Sequence, residues 1–157
     1  MAASVRAVVL TVSDRSAAGE RPDASGPLAE EVLTAHGFDV TREVVPDDAD
    51  AITDVLRRAA DAGVKLVITT GGTGLAPRDV TPEATLAVLD RRADGISELI
   101  RRSGTVPTAA LSRGVAGISR QTLIINLPGS TGAVRDGMAA LEPILMHAVD
   151  QLAGYDH

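Results

Sequence analysis

The residues best suited to chemistry lie in one stretch, Thr69 to Thr85, which reads TTGGTGLAPRDVTPEAT. Thr69, Thr70 and Thr73 supply hydroxyls, while Gly71, Gly72 and Gly74 leave backbone N–H groups uncovered by side chains. Arg78-Asp79 sets opposite charges just past the glycines. An apolar strand beginning at Lys65 runs into this stretch, and a helix signal opens at Thr81-Pro82-Glu83. A strand ending in small residues ahead of a helix start is where open α/β sheets build anion sites, because bare amides face the incoming charge. A phosphate-bearing ligand handled near Asp79 is the resulting expectation. The stretch fits neither GxxxxGK[ST] nor GxGxxG, which argues against a Walker ATPase and a Rossmann dehydrogenase.

Three further loops are expected to share the neighbourhood, because each follows a strand: Ser13-Asp14-Arg15, Val45-Pro46-Asp47-Asp48 and Asn126-Leu127-Pro128-Gly129-Ser130. Each has a plainer reading. Asp79 could cap the helix near Thr81 or pair with Arg78, Asp47 or Asp48 could cap the next helix, and Ser130 or Thr131 could cap another. Two carboxylates, Asp47 and Asp79, on loops beside a phosphate-type turn nevertheless suit Mg²⁺, which takes one or two carboxylates and completes its shell with phosphate oxygens. Ser13, Asp14, Thr70, Gly71, Gly72, Thr73, Gly74, Asn126, Pro128, Gly129 and Ser130 are the candidate ligand contacts. His36, His147 and His157 lack ligand spacing. Arg101-Arg102 reads as a solvated helix face, with Arg102-Ser103-Gly104 able to reach a ligand acid.

The elements that would position these loops follow from periodicity. Val5 to Val12 is a β-branched apolar run fit for a strand covered on both faces. Ser13 to Ser25 reads as a polar loop, followed by a helix that carries Leu28, Val32 and Leu33 and ends at Gly37. Phe38 to Val44 alternates as a half-exposed strand nearer the sheet edge. A helix with a stripe of Ile52, Val55, Leu56 and Ala59 leads to the strand at 65–70. Helices are expected over about 82–90, 95–103, 132–141 and 143–153, with strands over Val115 to Ile118 and Gln121 to Leu127. Pro143 separates the last two helices. Alternating strands and helices imply one α/β domain over 1–157, with a mainly parallel sheet covered on both faces.

Composition narrows the function. The chain has 157 residues and no cysteine, which removes disulfides, thiolate catalysis and cysteine zinc sites. Residues 1–64 carry 6 basic and 12 acidic side chains, whereas 65–157 carry 9 of each. An acidic half with only Phe38 and Tyr155 as aromatics argues against a nucleic-acid surface. Nothing approaches the roughly 18 apolar residues of a membrane span, so a cytoplasmic protein is expected.

With these residues in hand, the chain resembles the molybdopterin adenylyltransferase family of MogA/MoaB type, related to the gephyrin G domain. The resemblance covers essentially the whole chain. Its marks are Ser13-Asp14-Arg15, Val45-Pro46-Asp47-Asp48, the 69–85 string, VPTAALSRGVAGI at 106–118 and NLPGS at 126–130. It implies a three-layer α/β/α fold, a homotrimer, and Mg-ATP-dependent adenylylation of molybdopterin with release of pyrophosphate. Asp47 and Asp79 match the two aspartates the family holds essential. A molybdenum-insertion partner protein would act afterwards. Family members often have Pro-Lys after NLPGS, where this chain has Thr131-Gly132, so a phosphate-contacting lysine is missing. Some MoaB-type relatives replace RDVTPEA and lack the activity; this chain keeps the RDVTPEA sequence at 78–84, which favours an active enzyme. The alternatives are a molybdopterin carrier without catalysis and a generic nucleotide hydrolase.

Overall fold

The computed structural model describes residues 4–155, so His157 lies outside the described residues. Six strands form one sheet: Val5–Val12 (β1), Phe38–Val45 (β2), Leu66–Thr70 (β3), Arg91–Arg92 (β4), Ala116–Ser119 (β5) and Thr122–Leu127 (β6). Their spatial order is β2-β1-β3-β6-β5-β4. The first four are parallel, in registers that pair Val5 with Phe38, Ala7 with Leu66, and Leu66 with Leu123. β5 and β4 run antiparallel to their neighbours. The helices are Asp14–Ala17 (α1), Ser25–Ala35 (α2), Ala49–Asp61 (α3), Thr81–Leu86 (α4), Asp94–Ser103 (α5), Thr131–Leu141 (α6) and Leu145–Leu152 (α7).

Side chains alternate across a strand, so a strand covered on both faces is apolar along most of its length rather than only at every second position. β1 does this: Ala7 and Val9 join one core with Leu33, Val134, Met138 and Leu141, while Val8, Leu10 and Val12 join another with Ile52, Val55 and Leu56. β3 and β6 split the same way, sending Leu66, Ile68, Leu123, Ile125 and Leu127 to the first core and Val67 and Ile124 to the second. Three layers result. Each fully buried Leu or Ile contributes about 1.5–3 kcal/mol before entropy is counted. β2 buries only Phe38 fully and is an edge strand, as its alternation implies. Among the described residues, no helix is long and apolar enough to cross a membrane.

Two local expectations change. The polar segment after β1 contains a one-turn helix, α1, because the Ser13 side chain accepts the Ser16 N–H and caps it. The helix expected over 82–90 stops at Leu86. Beyond it the backbone is claimed by β5: Asp90 N–H donates to Ile118 O and Ala93 N–H to Ala116 O, which makes Arg91–Arg92 a strand. Pro107–Leu111 is a 3-10 turn.

The chain reverses its winding at β1. β2 lies on one side of it and β3 on the other, and the helices after β1 and β3 leave toward opposite faces: Ala29 and Leu33 of α2 join one core, Ala84 and Val88 the other. Such a switch point opens a crevice at the C-terminal ends of the two strands, between the Ser13 and Gly71 loops.

Candidate functional site

Backbone packing sets the floor of that crevice. Gly71 has φ +94, and a Cβ there would sit 2.3 Å from the Val12 carbonyl oxygen, so no L side chain is accommodated. Its N–H donates to Leu127 O at 3.0 Å, and a Cβ on Gly129 would lie 3.1 Å from the Gly71 Cα. The ends of β1, β3 and β6 therefore touch through glycine. Gly72 has φ +68; a Cβ there would meet Thr81 Oγ1 at 2.3 Å and Asp47 Oδ1 at 3.1 Å. One on Gly74 would meet Asp79 Oδ2 at 2.8 Å. The two carboxylates thus lean over the same four-residue loop. Gly72, Thr73 and Gly74 donate no backbone hydrogen bond within the described residues, which leaves three N–H groups for an anion.

Above this floor lies a cavity of about 780 Å³. Its lining includes Ser13, Asp47, Thr70, Gly71, Gly72, Thr73, Gly74, Asp79, Pro128, Gly129 and Ser130, so most of the expected contacts share one space. Ser130 also caps α6, its hydroxyl accepting the Ala133 N–H at 3.1 Å. The Thr70 hydroxyl pairs with Ser25 Oγ at 2.9 Å. Of the pair read as a solvated helix face, Arg102 is exposed and outside the cavity lining, whereas Arg101 lines the cavity and donates to Gly114 O at 2.9 Å; of the alternative Arg102-Ser103-Gly104 contact, only Gly104 lines the cavity.

Two expected contacts stand elsewhere. Asn126 is 2 % exposed and outside the lining. Its Oδ1 accepts the Val115 N–H at 3.1 Å, and its Nδ2 donates to Thr69 Oγ1 and Thr85 Oγ1, each at 3.0 Å. Burial obliges a carboxamide to spend its hydrogen bonds internally, so Asn126 fastens β6 to β3, α4 and the start of β5 rather than reaching a ligand. Asp14 is also outside the lining, and it is locked to Asp47. The Asp14 N–H donates to Asp47 Oδ2 and the Asp47 N–H to Asp14 Oδ1, both at 3.0 Å. Arg78 closes the group, donating through Nε to Asp14 Oδ2 at 2.6 Å and through a second nitrogen to Asp14 Oδ1 at 2.9 Å and Asp47 O at 3.2 Å.

The plainer roles resolve from these bonds. Asp48 caps α3, accepting the Ala51 N–H at 2.9 Å, which leaves Asp47 for the cavity. Asp79 does not cap α4, whose N-cap position is Val80 without a side-chain bond, and Arg78 pairs with Asp14 instead of with Asp79. Among the described residues the carboxylate of Asp79 accepts only the Ala76 N–H, at 3.2 Å.

Electrostatics separate the acids. The Arg78 guanidinium holds the Asp14 carboxyl below the usual range, helped by the Asp47 N–H. Burial pushes Asp47 upward, and the neighbouring charges of Asp14 and Asp79 add to that; the Asp14 N–H and Arg78 oppose it. A carboxylate raised by desolvation and by like charges gains when a cation arrives.

Arg113 was not singled out in the sequence. It donates through its backbone to Thr73 O at 2.7 Å, and through its side chain to Gly74 O at 2.8 Å, Asp79 O at 2.7 Å and Glu83 Oε2 at 2.6 Å. One residue thereby ties together Thr73, Gly74, Asp79 and Glu83, at both ends of the loop and at the start of α4. Its sequence signal is its place in the VPTAALSRGVAGI string at 106–118, between Ser112 and Gly114 and just ahead of a buried strand.

Among the described residues no group of three or more His, Cys, Asp or Glu side chains is arranged to hold a metal. Two hard carboxylates beside bare amides suit a cation that arrives with phosphate oxygens in its shell, as Mg²⁺ does. The residues present fit that group.

Fold and cavity together define an open α/β domain with an anion-type site at its switch point. The chain belongs to the molybdopterin-binding family of MogA/MoaB type: the family described as "probable molybdopterin binding domain" matches residues 8–147. It is 41% identical over 152 residues to the molybdopterin adenylyltransferase of Helicobacter pylori (strain J99), covering 93% of this chain and 86% of that one. It is 42% identical over 146 residues to the Drosophila melanogaster molybdenum cofactor synthesis protein cinnamon, but spans only 24% of that protein's length. The solved structure of the molybdopterin biosynthesis Mog protein from Mycobacterium ulcerans superposes with a TM-score of 0.93 at 44% identity, covering 98% of this chain and 100% of the other.

Proposed function

We propose that this protein acts in molybdenum cofactor biosynthesis by adenylylating molybdopterin with Mg-ATP. The observation that carries the reading is the convergence of Asp47 and Asp79 on Gly71 to Gly74. A terminal phosphate oxygen of molybdopterin attacks the α-phosphorus of ATP. One P–O bond forms, the bond to the β-phosphate breaks, and pyrophosphate leaves.

The nucleophile is anionic near neutral pH, so no general base is required. Bringing two polyanions together is the difficulty, and positioning with charge neutralisation supplies most of the catalysis. Asp47 and Asp79 would hold Mg²⁺, which neutralises charge on the phosphates and the departing pyrophosphate. The N–H groups of Gly72, Thr73 and Gly74 would cradle phosphate oxygens. Ser13 and the Pro128–Ser130 turn would hold nucleotide or pterin. A homotrimer, a cytoplasmic location and a downstream molybdenum-insertion protein belong to the same proposal, carried by the family resemblance.

Incubation of the protein with molybdopterin, ATP and Mg²⁺ tests the reading. The expected result is adenylylated molybdopterin by mass with equimolar pyrophosphate, and none when the metal is omitted. Tight pterin binding without pyrophosphate would make the protein a carrier instead.

A further inference from the structure

Asp47 and Asp79 lie on loops that leave different strands, and a third loop, carrying Asp14, bonds to both of those loops. Asp14 and Asp47 exchange backbone N–H bonds for carboxylate bonds in both directions, which joins the β1 and β2 loops. Arg78, adjacent in sequence to Asp79, forks onto both oxygens of Asp14 and adds the Asp47 carbonyl. The carbonyl of Asp79 is held from the other side by Arg113. A planar guanidinium gripping a carboxylate through two parallel bonds fixes orientation as well as distance, which a point charge does not.

Resting on the adenylylation reading above, we infer that Asp14 and Arg78 form a positioning lock. They touch no reacting atom, but set the separation of Asp47 and Asp79 before the metal and the triphosphate arrive. This reassigns Asp14, whose sequence position suggested a ligand contact. It also gives Arg78 a partner 64 residues away in place of its neighbour Asp79. Both side chains are partly solvent-exposed, at 66% for Arg78 and 41% for Asp14, so their replacement leaves the two cores untouched.

The test compares the wild type with Asp14→Asn, Arg78→Gln, the double variant and Arg78→Lys. Readouts are kcat, KM for each substrate, the Mg²⁺ concentration for half-maximal rate, and ligand-free amide hydrogen exchange over residues 74–79. Each single variant is expected to lose on the order of a hundredfold in kcat, the scale of a displaced reactive group. KM for molybdopterin should stay within about twofold, because ground-state pterin binding is not addressed. The Mg²⁺ requirement should rise and exchange over 74–79 should quicken. The double variant should be no worse than the poorer single one, since two members of one lock are lost only once. Arg78→Lys should behave as Arg78→Gln.

If Arg78→Gln raised KM for ATP while Asp14→Asn matched wild type, Arg78 would be a substrate contact and the lock would be wrong. Unchanged exchange in both variants would also overturn it. A wild type that makes no adenylylated product would defeat the adenylylation reading, while the exchange measurement would still decide the lock.

Discussion

Replacing Asn126 with alanine separates scaffolding from ligand contact. The substitution orphans the buried Val115 N–H and removes donors from the Thr69 and Thr85 hydroxyls. A buried unsatisfied amide costs about 1–3 kcal/mol, and each lost hydrogen bond about 0.5–1.5 kcal/mol. The two hydroxyls can rotate to new partners, so about 3 kcal/mol is the working figure. In a domain of this size that lowers Tm by roughly 6–12 °C, at about 2–4 °C per kcal/mol. Calorimetric unfolding of the ligand-free protein measures it. Below the transition, KM for ATP and for molybdopterin should match wild type, because the carboxamide does not line the cavity. A melt within about 2 °C of wild type would refute the energetic account, at the scale just used. A KM raised on the order of tenfold in the folded variant would return Asn126 to the ligand.

Asp79→Asn should keep the fold and pterin affinity but lose adenylylation, checked by mass of product and by pterin binding; each tenfold loss of turnover corresponds to about 1.4 kcal/mol of transition-state stabilisation. Asp47→Asn should stabilise the ligand-free protein at neutral pH. Asparagine keeps the acceptor for the Asp14 N–H, and the Asp47 carboxyl is raised in the fold chiefly by burial. The sign follows from that raised value: Asp47 favours folding while protonated, and the benefit is lost as pH rises through its elevated pKa. The Tm difference between Asp47→Asn and wild type should accordingly close as pH falls below the ordinary carboxylate range. Mg-ATP should raise Tm in the wild type and much less in Asp47→Asn. Gly71→Ala, with φ +94 and a Cβ position 2.3 Å from Val12 O, should disrupt both stability and turnover. Gly19→Ala, with φ +75 but open space, should cost only the left-handed strain of about 1–2 kcal/mol and spare turnover.

The fold was legible where burial is two-sided. β1, β3 and β6 are apolar along most of their length because both faces of the sheet are covered, and the Ile52, Val55, Leu56 and Ala59 stripe follows from a helix with one buried face. The α3 and α6 caps were legible to within one residue, as Asp47 or Asp48 and Ser130 or Thr131, because their chemistry is local; the structure selects Asp48 and Ser130. β4 was not: Arg91–Arg92 is a strand only because β5 pairs with it. At the site, the glycines and the two acids were readable from their loops. Side-chain partners were not, since Arg78 reaches 64 residues back to Asp14, Arg113 reaches 34 residues to Asp79, and Asn126 spans 57 residues to Thr69. Local sequence offered Arg78 its neighbour Asp79 and offered Asn126 a ligand. Tertiary geometry chose otherwise.

A crystal structure with Mg²⁺ and a non-hydrolysable ATP analogue is the most direct measurement. The account expects one cation over Gly71–Gly74, joined to the phosphates and bound by Asp47 and Asp79 at about 2.0–2.1 Å or through one water. A nucleotide seated elsewhere, or a cation held by phosphates alone with either aspartate turned away, would contradict it.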